Sequence, residues 1–315
     1  MKKLILLAVA AVMAVGAAAQ SKVYFTKEIT PEALVKIYKA LGKEAKGRVA
    51  VKISTGEAGG HNYLKPELIG KLVGEVGGTI VECNTAYAGK RMTSSDHWKV
   101  IRDHGFDKIA RVDIMDEEGD MRIPVRDTTH IKYDIVGSHL ANYDFMVNLA
   151  HFKGHAMGGF GGVLKNASIG VASSNGKSYI HTAGKVQSPA ELWSNLPAQD
   201  YFLESMAAAA QGVHDYMKGN VVYINVMNNM SVDCDCDSNP DEPKLKDMGV
   251  LASLDPVALD KACLDLVFGH KSVEGDDAKP LIERINRQHG IHIVDYAEKI
   301  GLGSKAYTLI DIDNQ

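Results

Sequence analysis

Two short stretches hold most of the chemistry this sequence can do. The first, His151-Phe-Lys-Gly-His-Ala-Met-Gly-Gly-Phe-Gly-Gly-Val-Leu-Lys-Asn166, crowds two histidines, two lysines and five glycines into one connection. Glycines let the backbone approach a ligand, and successive exposed N–H groups form a nest for an anion. Gly158, Gly159, Gly161 and Gly162 are therefore candidate anion binders, with Lys153, Lys165 and Asn166 around the charge. The plainer reading is a connection that needs its glycines for tight packing. The second stretch, Asp233-Cys-Asp-Cys-Asp237, holds three carboxylates and two thiols in five residues. Thiolates beside carboxylates suit a soft cation such as zinc or iron. Cys234, Cys236 and Asp235 are candidate metal ligands, and His155 is the preferred additional one. A disulfide across one intervening residue would be strained. The plainer reading here is an acidic turn with two free thiols.

Three further groups add to these. Asn84-Thr-Ala-Tyr-Ala-Gly-Lys-Arg91 follows a strand pattern, and Arg91 suits bidentate recognition of an oxyanion, with Asn84, Thr85 and Tyr87 as polar neighbours. Glu57 lies in a glycine-rich strand-end loop and is a candidate general base. His97 and His104 share a helix face but stand about 10 Å apart along it, too far to hold one metal. His97, nearer the strand end, is the candidate proton carrier. Several familiar motifs are excluded. No lysine directly follows the last glycine, so there is no P-loop. Leu164 stands where a dinucleotide fingerprint needs glycine. Ser238 and Lys244 occupy the glycine and glutamate positions of a calcium loop.

The elements that must position these residues alternate along the chain. Strand patterns cover 48–54, 79–84, 108–115, 134–136, 145–150, 221–226, 249–252 and 307–312. Helical patterns cover 66–76, 94–104, 201–217, 256–268, 278–288 and 294–299, with Ser94 or Ser95 and Asp255 as N-caps. Residues 173–200 are the least regular and read as a lid or a connection between lobes. Short apolar strands alternating with helices predict an α/β fold: a largely parallel sheet with helices on both faces, in one domain or two lobes. The candidate residues then cluster where strands end, the edge at which such sheets bind ligands.

Composition bounds the rest. The formal net charge of −4 over 315 residues gives no electrostatic footing for nucleic acid. Four cysteines do not make a disulfide scaffold, and Cys83 and Cys263 fall in apolar patterns as core thiols. Residues 1–19 read as a signal peptide: Lys2-Lys3, an apolar run from Leu4 to Val15, then Ala17-Ala-Ala19. The expectation is an exported protein, periplasmic or extracellular, with 20–315 as its folded part and no membrane attachment after cleavage.

The chain resembles a family of uncharacterised iron–sulfur-centre proteins, the domain of unknown function 362 family. The resemblance rests on Gly56-Glu57, Tyr63-Leu64, Asn84-Thr85, Tyr87, Gly89-Lys-Arg91, His97 and His104-Gly-Phe106. It continues through His151 to His155, Gly159 to Gly162, Leu164-Lys-Asn166, Gly176-Lys177, His181, Cys234-Asp-Cys236 and Gly249 to Asp260. Relatives carry Asp where this chain has Glu82. Many also carry a ferredoxin-like insertion after the position of His181, whereas residues 182–213 contain no cysteine. A [4Fe–4S] cluster is therefore not expected, and a divalent metal is. The functional expectation is an enzyme acting on a small anionic molecule in a metal- and anion-binding cleft. The alternatives are a non-catalytic binding protein and a thiol redox partner.

Overall fold

The computed structural model describes residues 20–314, so the expected signal peptide lies outside the described residues. The chain begins with β1 (Ser21–Thr26), α1 (Pro31–Ala40), β2 (Val49–Lys52), α2 (Pro66–Glu75), β3 (Gly78–Glu82), α3 (Ser94–Asp103) and β4 (Val112–Ile114). A small antiparallel pair follows, β5 (Asp120–Ile123) and β6 (Asp134–Gly137). Then come β7 (Phe145–His151), the hairpin β8 (Lys153–His155) and β9 (Gly159–Gly161), α4 (Val163–Ala167) and α5 (Ser174–His181). The chain closes with α6 (Gln199–Tyr216), β10 (Val221–Met227), β11 (Gly249–Ser253), α7 (Pro256–Gly269), α8 (Lys279–Arg287), α9 (His292–Lys299) and β12 (Tyr307–Asp311).

One eight-stranded sheet organises the molecule, in the order β12-β1-β11-β10-β7-β2-β3-β4. β11 runs antiparallel to β1 and β10, and the other pairings are parallel. This is the expected α/β fold with a largely parallel sheet. The alternation of side chains along each strand divides the core in two. Val49, Val51, Ile53, Val147, Leu149 and Ile224 face α1, α2 and α3, packing on Leu34, Ile69, Leu72 and Ile101. Ala50, Met146, Ala150 and Tyr223 face the other side, against Leu164, Ala207, Leu259 and Val294.

The structure adds β1 and α1 to the expected elements, shortens the 108–115 strand to Val112–Ile114, and changes the reading at three places nearer the candidate residues. Thr93, not Ser94 or Ser95, caps α3, accepting from the Asp96 N–H at 3.2 Å. The expected strand over 134–136 is real but pairs with β5 outside the main sheet. Residues 173–200 hold the regular helix α5, capped by Ser173, and a 3-10 turn at Pro189–Ser194. Asp255 caps α7 as expected, accepting from the N–H groups of Val257 and Ala258.

Candidate functional site

Because β2, β3, β7 and β10 are parallel, the loops leaving them emerge at one edge of the sheet. There they enclose a cavity of about 210 Å³. β2 contributes Lys52 and Ser54, and β3 contributes Glu82, Cys83, Thr85, Tyr87 and Arg91. The β7 connection contributes His155, Met157, Lys165 and Asn166, and the β10 connection contributes Cys236. Lys177 and His181 of α5 and Leu192 and Trp193 of the following turn complete it.

The β2–β3 side is a closed ion network. Lys52, 1% exposed, sits on the same face of β2 as the core residue Ala50. Its Nζ donates to the Ile53 carbonyl, to Glu82 Oε2 at 3.3 Å and to Asn166 Oδ1 at 3.2 Å, which uses all three ammonium protons. Burial, only partly offset by Glu82, lowers its pKa to about 8. Glu82 accepts from the Thr55 and Cys83 N–H groups and lies 3.6 Å from Arg91 Nη1. Burial alone would raise its pKa, but Lys52, Arg91 and His97 outweigh that and hold it at about 2. Arg91 also reaches Glu57 Oε2 at 3.5 Å and Tyr87 Oη at 3.3 Å.

Glu57 and His97 do not line the cavity; they stand behind it. Glu57 accepts the Lys90 N–H at 2.8 Å while holding Arg91. His97 is 0% exposed and spans Asn84 Oδ1 and Thr55 Oγ1, both at 3.2 Å. Its pKa falls to about 3, through burial first and then Arg91, so its ring is neutral. Asn84 likewise braces this layer, donating to Ser94 Oγ at 2.9 Å. Thr85 and Tyr87 do line the cavity.

The glycine-rich stretch folds differently from the nest expected of it. It is the β8–β9 hairpin, and Gly154, Gly159 and Gly162 sit where a Cβ would collide with neighbours. A Cβ at Gly154 would lie 2.1 Å from the Val232 carbonyl oxygen, and one at Gly162 2.3 Å from Asp260 Oδ1. Gly159, at φ +79°, packs against Gly290. The amides that follow, at Val163 and Leu164, are already bonded to the Asp260 carboxylate at 3.0 Å. Gly159 and Gly162 are required by close packing, and none of Gly158, Gly159, Gly161 and Gly162 lines the cavity. Lys153 is also committed, donating to Asp235 Oδ2 at 2.7 Å, while His151 holds Asp235 Oδ1 at 2.8 Å. Both oxygens of Asp235 are thus occupied. His151 and Lys153, overcoming burial, hold its carboxyl far below the usual range. Lys165 and Asn166 line the cavity, although Asn166 spends its amide on Lys52 and Asn148.

His155, Cys234 and Cys236 come together, with one ligating atom from each within 4.8 Å of the others. This is a possible metal-binding group. The Cys236 N–H donates to Cys234 Sγ at 3.3 Å, and Lys165 Nζ lies 4.0 Å from it. Hydrogen bonding with the Cys236 thiol, helped by Lys165 and His155 and against burial, pulls the Cys234 thiol well down. The same sulfur pushes Cys236 up. The two thiols fit a soft divalent ion. His155 fits less directly. Its Nδ1 accepts the Gly158 N–H at 2.8 Å and the Met157 N–H at 3.3 Å, so the neutral ring carries its proton on Nε2. Ligation through His155 requires loss of that proton or rotation of the ring.

His181 has the opposite tautomer. Its Nδ1 faces the Lys177 carbonyl at 2.7 Å and must donate, which leaves a lone pair on Nε2. Burial lowers its pKa to about 3. Lys177 is 6% exposed, and its Nζ has one acceptor among the described residues, the Ala172 carbonyl at 2.5 Å. Lys52, Lys177, His181 and Trp193 line the cavity too, and their residue types and spacing alone do not single them out. A lysine inside the apolar run Val49-Ala-Val-Lys-Ile53 was the available signal for Lys52. The loop at Thr55 to His61 packs on the cysteine turn through Glu57 N–H to Asp235 O at 2.7 Å, but His61 itself points outward to Glu242. Cys83 also lines the cavity, its thiol donating to the Val171 carbonyl, and Cys263 is a core thiol on α7.

Among the described residues, no helix is long and apolar enough to cross a membrane. The family model described as Domain of unknown function (DUF362) matches residues 49–265, well over half of the chain. No curated protein matches. Among solved structures, the chain is similar to the lactate racemase apoprotein from Thermoanaerobacterium thermosaccharolyticum. The identity is 14% and the TM-score 0.39, over 66% of this chain and 50% of that one. It is also similar to a Thermotoga maritima protein at 12% identity and TM-score 0.41, over 87% of this chain and 59% of that one. The chain thus spans between half and three fifths of the length of these two structures.

Proposed function

We propose that this chain, which belongs to the DUF362 family, binds a small organic anion at the carboxyl edge of its sheet and acts on it as an enzyme. One observation carries the reading. Lys177 is buried at the cavity wall with no carboxylate within ion-pair distance among the described residues, and Lys165, also in the lining, has the Cys234 sulfur at 4.0 Å as its one side-chain partner. A buried ammonium with unused donors is costly unless something pairs with it. An anion in the cavity supplies that partner. Titration calorimetry with small carboxylates and inorganic phosphate tests this, together with mass spectrometry of molecules that copurify. Saturable binding that weakens about tenfold or more in Lys177→Met supports the reading; binding unaffected by that change ends it. Chemical conversion of a copurified anion separates an enzyme from a binding protein.

In this reading the Cys234–Cys236 pair holds a divalent zinc or iron ion, which would supply Lewis acidity next to the anion. Elemental analysis of anaerobically purified protein and of a Cys234→Ser/Cys236→Ser variant tests the assignment. The protonated Nε2 of His155 favours a second reading, in which Cys234 acts as a metal-free thiolate held by His155 and Lys165. Rapid alkylation of Cys234 at pH 6 in protein that contains no metal selects that alternative. Export rests on the pattern Lys2-Lys3 followed by Ala17-Ala-Ala19. An N-terminus at Gln20 or Ser21 in protein from its native host tests it.

A further inference from the structure

The anion site has an apolar half whose chemistry narrows the ligand. Next to the lysines, the cavity is lined by Ala86, Met157, Ile169 and Leu192, and its lip carries Trp193. Trp193 is 57% exposed on the 3-10 turn Pro189–Ser194, and its indole N–H has no acceptor among the described residues. Leu192 beside it is buried and anchors that turn. The thioether of Met157 and the rings of Tyr87 and His181 are also in the lining, groups that favour the faces and edges of a planar ring. Size is consistent with such a guest. An apolar cavity of about 150 Å³ accepts benzene, and this one is about 210 Å³. The difference leaves room for one carboxylate. Charge limits the guest further. Lys52 and Arg91 already have Glu82 and Glu57, and Lys165 has the Cys234 sulfur at 4.0 Å, which leaves Lys177 with only a carbonyl. Lys177 has no carboxylate within ion-pair distance, but its charge is already felt by Asp116, Asp134 and Glu82, so a guest with a single carboxylate suits it better than one with two.

We infer that the ligand is a compact aromatic monocarboxylate, its carboxylate on Lys177 and Lys165 and its ring against Met157, Ile169 and the indole of Trp193. The inference rests on the anion-site reading above. The chain has two tryptophans, and Trp98 is tied to Glu117 on the surface of α3, outside the cavity lining. A Trp98→Phe chain therefore reports on Trp193 alone. Benzoate, acetate and inorganic phosphate are titrated into it by fluorescence and, in parallel, by calorimetry. The expected result is a saturable change in Trp193 emission with benzoate. Benzoate should also bind at least about tenfold more tightly than acetate, the value of burying a ring of that size. Trp193→Ala, followed by calorimetry, should remove most of that preference while leaving acetate affinity unchanged. Acetate or phosphate binding as tightly as benzoate overturns the ligand class but leaves the anion site standing. No calorimetric binding of any of the three overturns both. Binding of benzoate with no response from Trp193 and no loss in Trp193→Ala shows that the ring does not reach the lip, and the inference fails.

Discussion

Two sets of cations line one cavity, and the protein treats them in opposite ways. Lys52 and Arg91 are surrounded by acceptors: Glu82 lies within reach of both, Glu57 holds Arg91, and backbone amides hold Glu82 in turn. Lys165 and Lys177 face a sulfur and a carbonyl. The first set is satisfied by the fold and so belongs to the fold. The second has no carboxylate within ion-pair distance, and it is the set to which the proposed ligand is assigned. Charge near a cavity is therefore a poor guide to binding until each donor has been assigned a partner.

The largest effect that would break this contrast lies in the closed network. Glu82→Gln should destabilise the protein by about 3–5 kcal/mol in urea unfolding at pH 7, because it leaves Lys52 and Arg91 buried with one carboxylate fewer. A loss below about 1 kcal/mol would show that the network is not structural. The same carboxylate sets a pH dependence. Its folded pKa, about 2, is depressed below the unfolded value of about 4.3. Its stabilisation is therefore fully present above the unfolded value and lost as pH falls through about 2. The stability gap between wild type and Glu82→Gln should hold constant from pH 7 to about 5 and narrow below about 4.

The open set should respond in affinity. Lys165→Met and Lys177→Met should each weaken carboxylate binding by about tenfold to a hundredfold, the equivalent of a charged hydrogen bond at about 1.5–3 kcal/mol. Equal affinity in both variants would place the anion elsewhere. The smallest effect on stability is expected at the thiols. Cys236→Ser should change unfolding free energy by less than about 1 kcal/mol while reducing metal content or altering Cys234 alkylation.

Much of this arrangement was legible in the residues. The alternation of apolar strands with capped helices gives the parallel sheet, and parallel strands bring Thr85, His155 and Cys236 to one edge. The glycine run misled because Gly154 and Gly162 meet Val232 and Asp260, residues distant in sequence. Lys153 and Asp235 looked like ligand groups for the same reason: their mutual pairing is a tertiary contact across 82 positions. Lys177 was hidden in a stretch that read as irregular, since Gly176 obscures α5, although its missing side chain lets the helix pack on Ile135.

Lys177 marks the division between the two sets of cations, and unfolding of Lys177→Met probes it. Urea denaturation at pH 7 compares wild type and variant, each without ligand and with saturating benzoate. Without benzoate the variant should be at least as stable as wild type, since a buried cation with no carboxylate within ion-pair distance has been removed. Benzoate at a concentration that just saturates wild type should stabilise wild type and stabilise the variant much less. A variant several kcal/mol less stable without benzoate would place Lys177 in the closed network and contradict the division on which the proposed function rests.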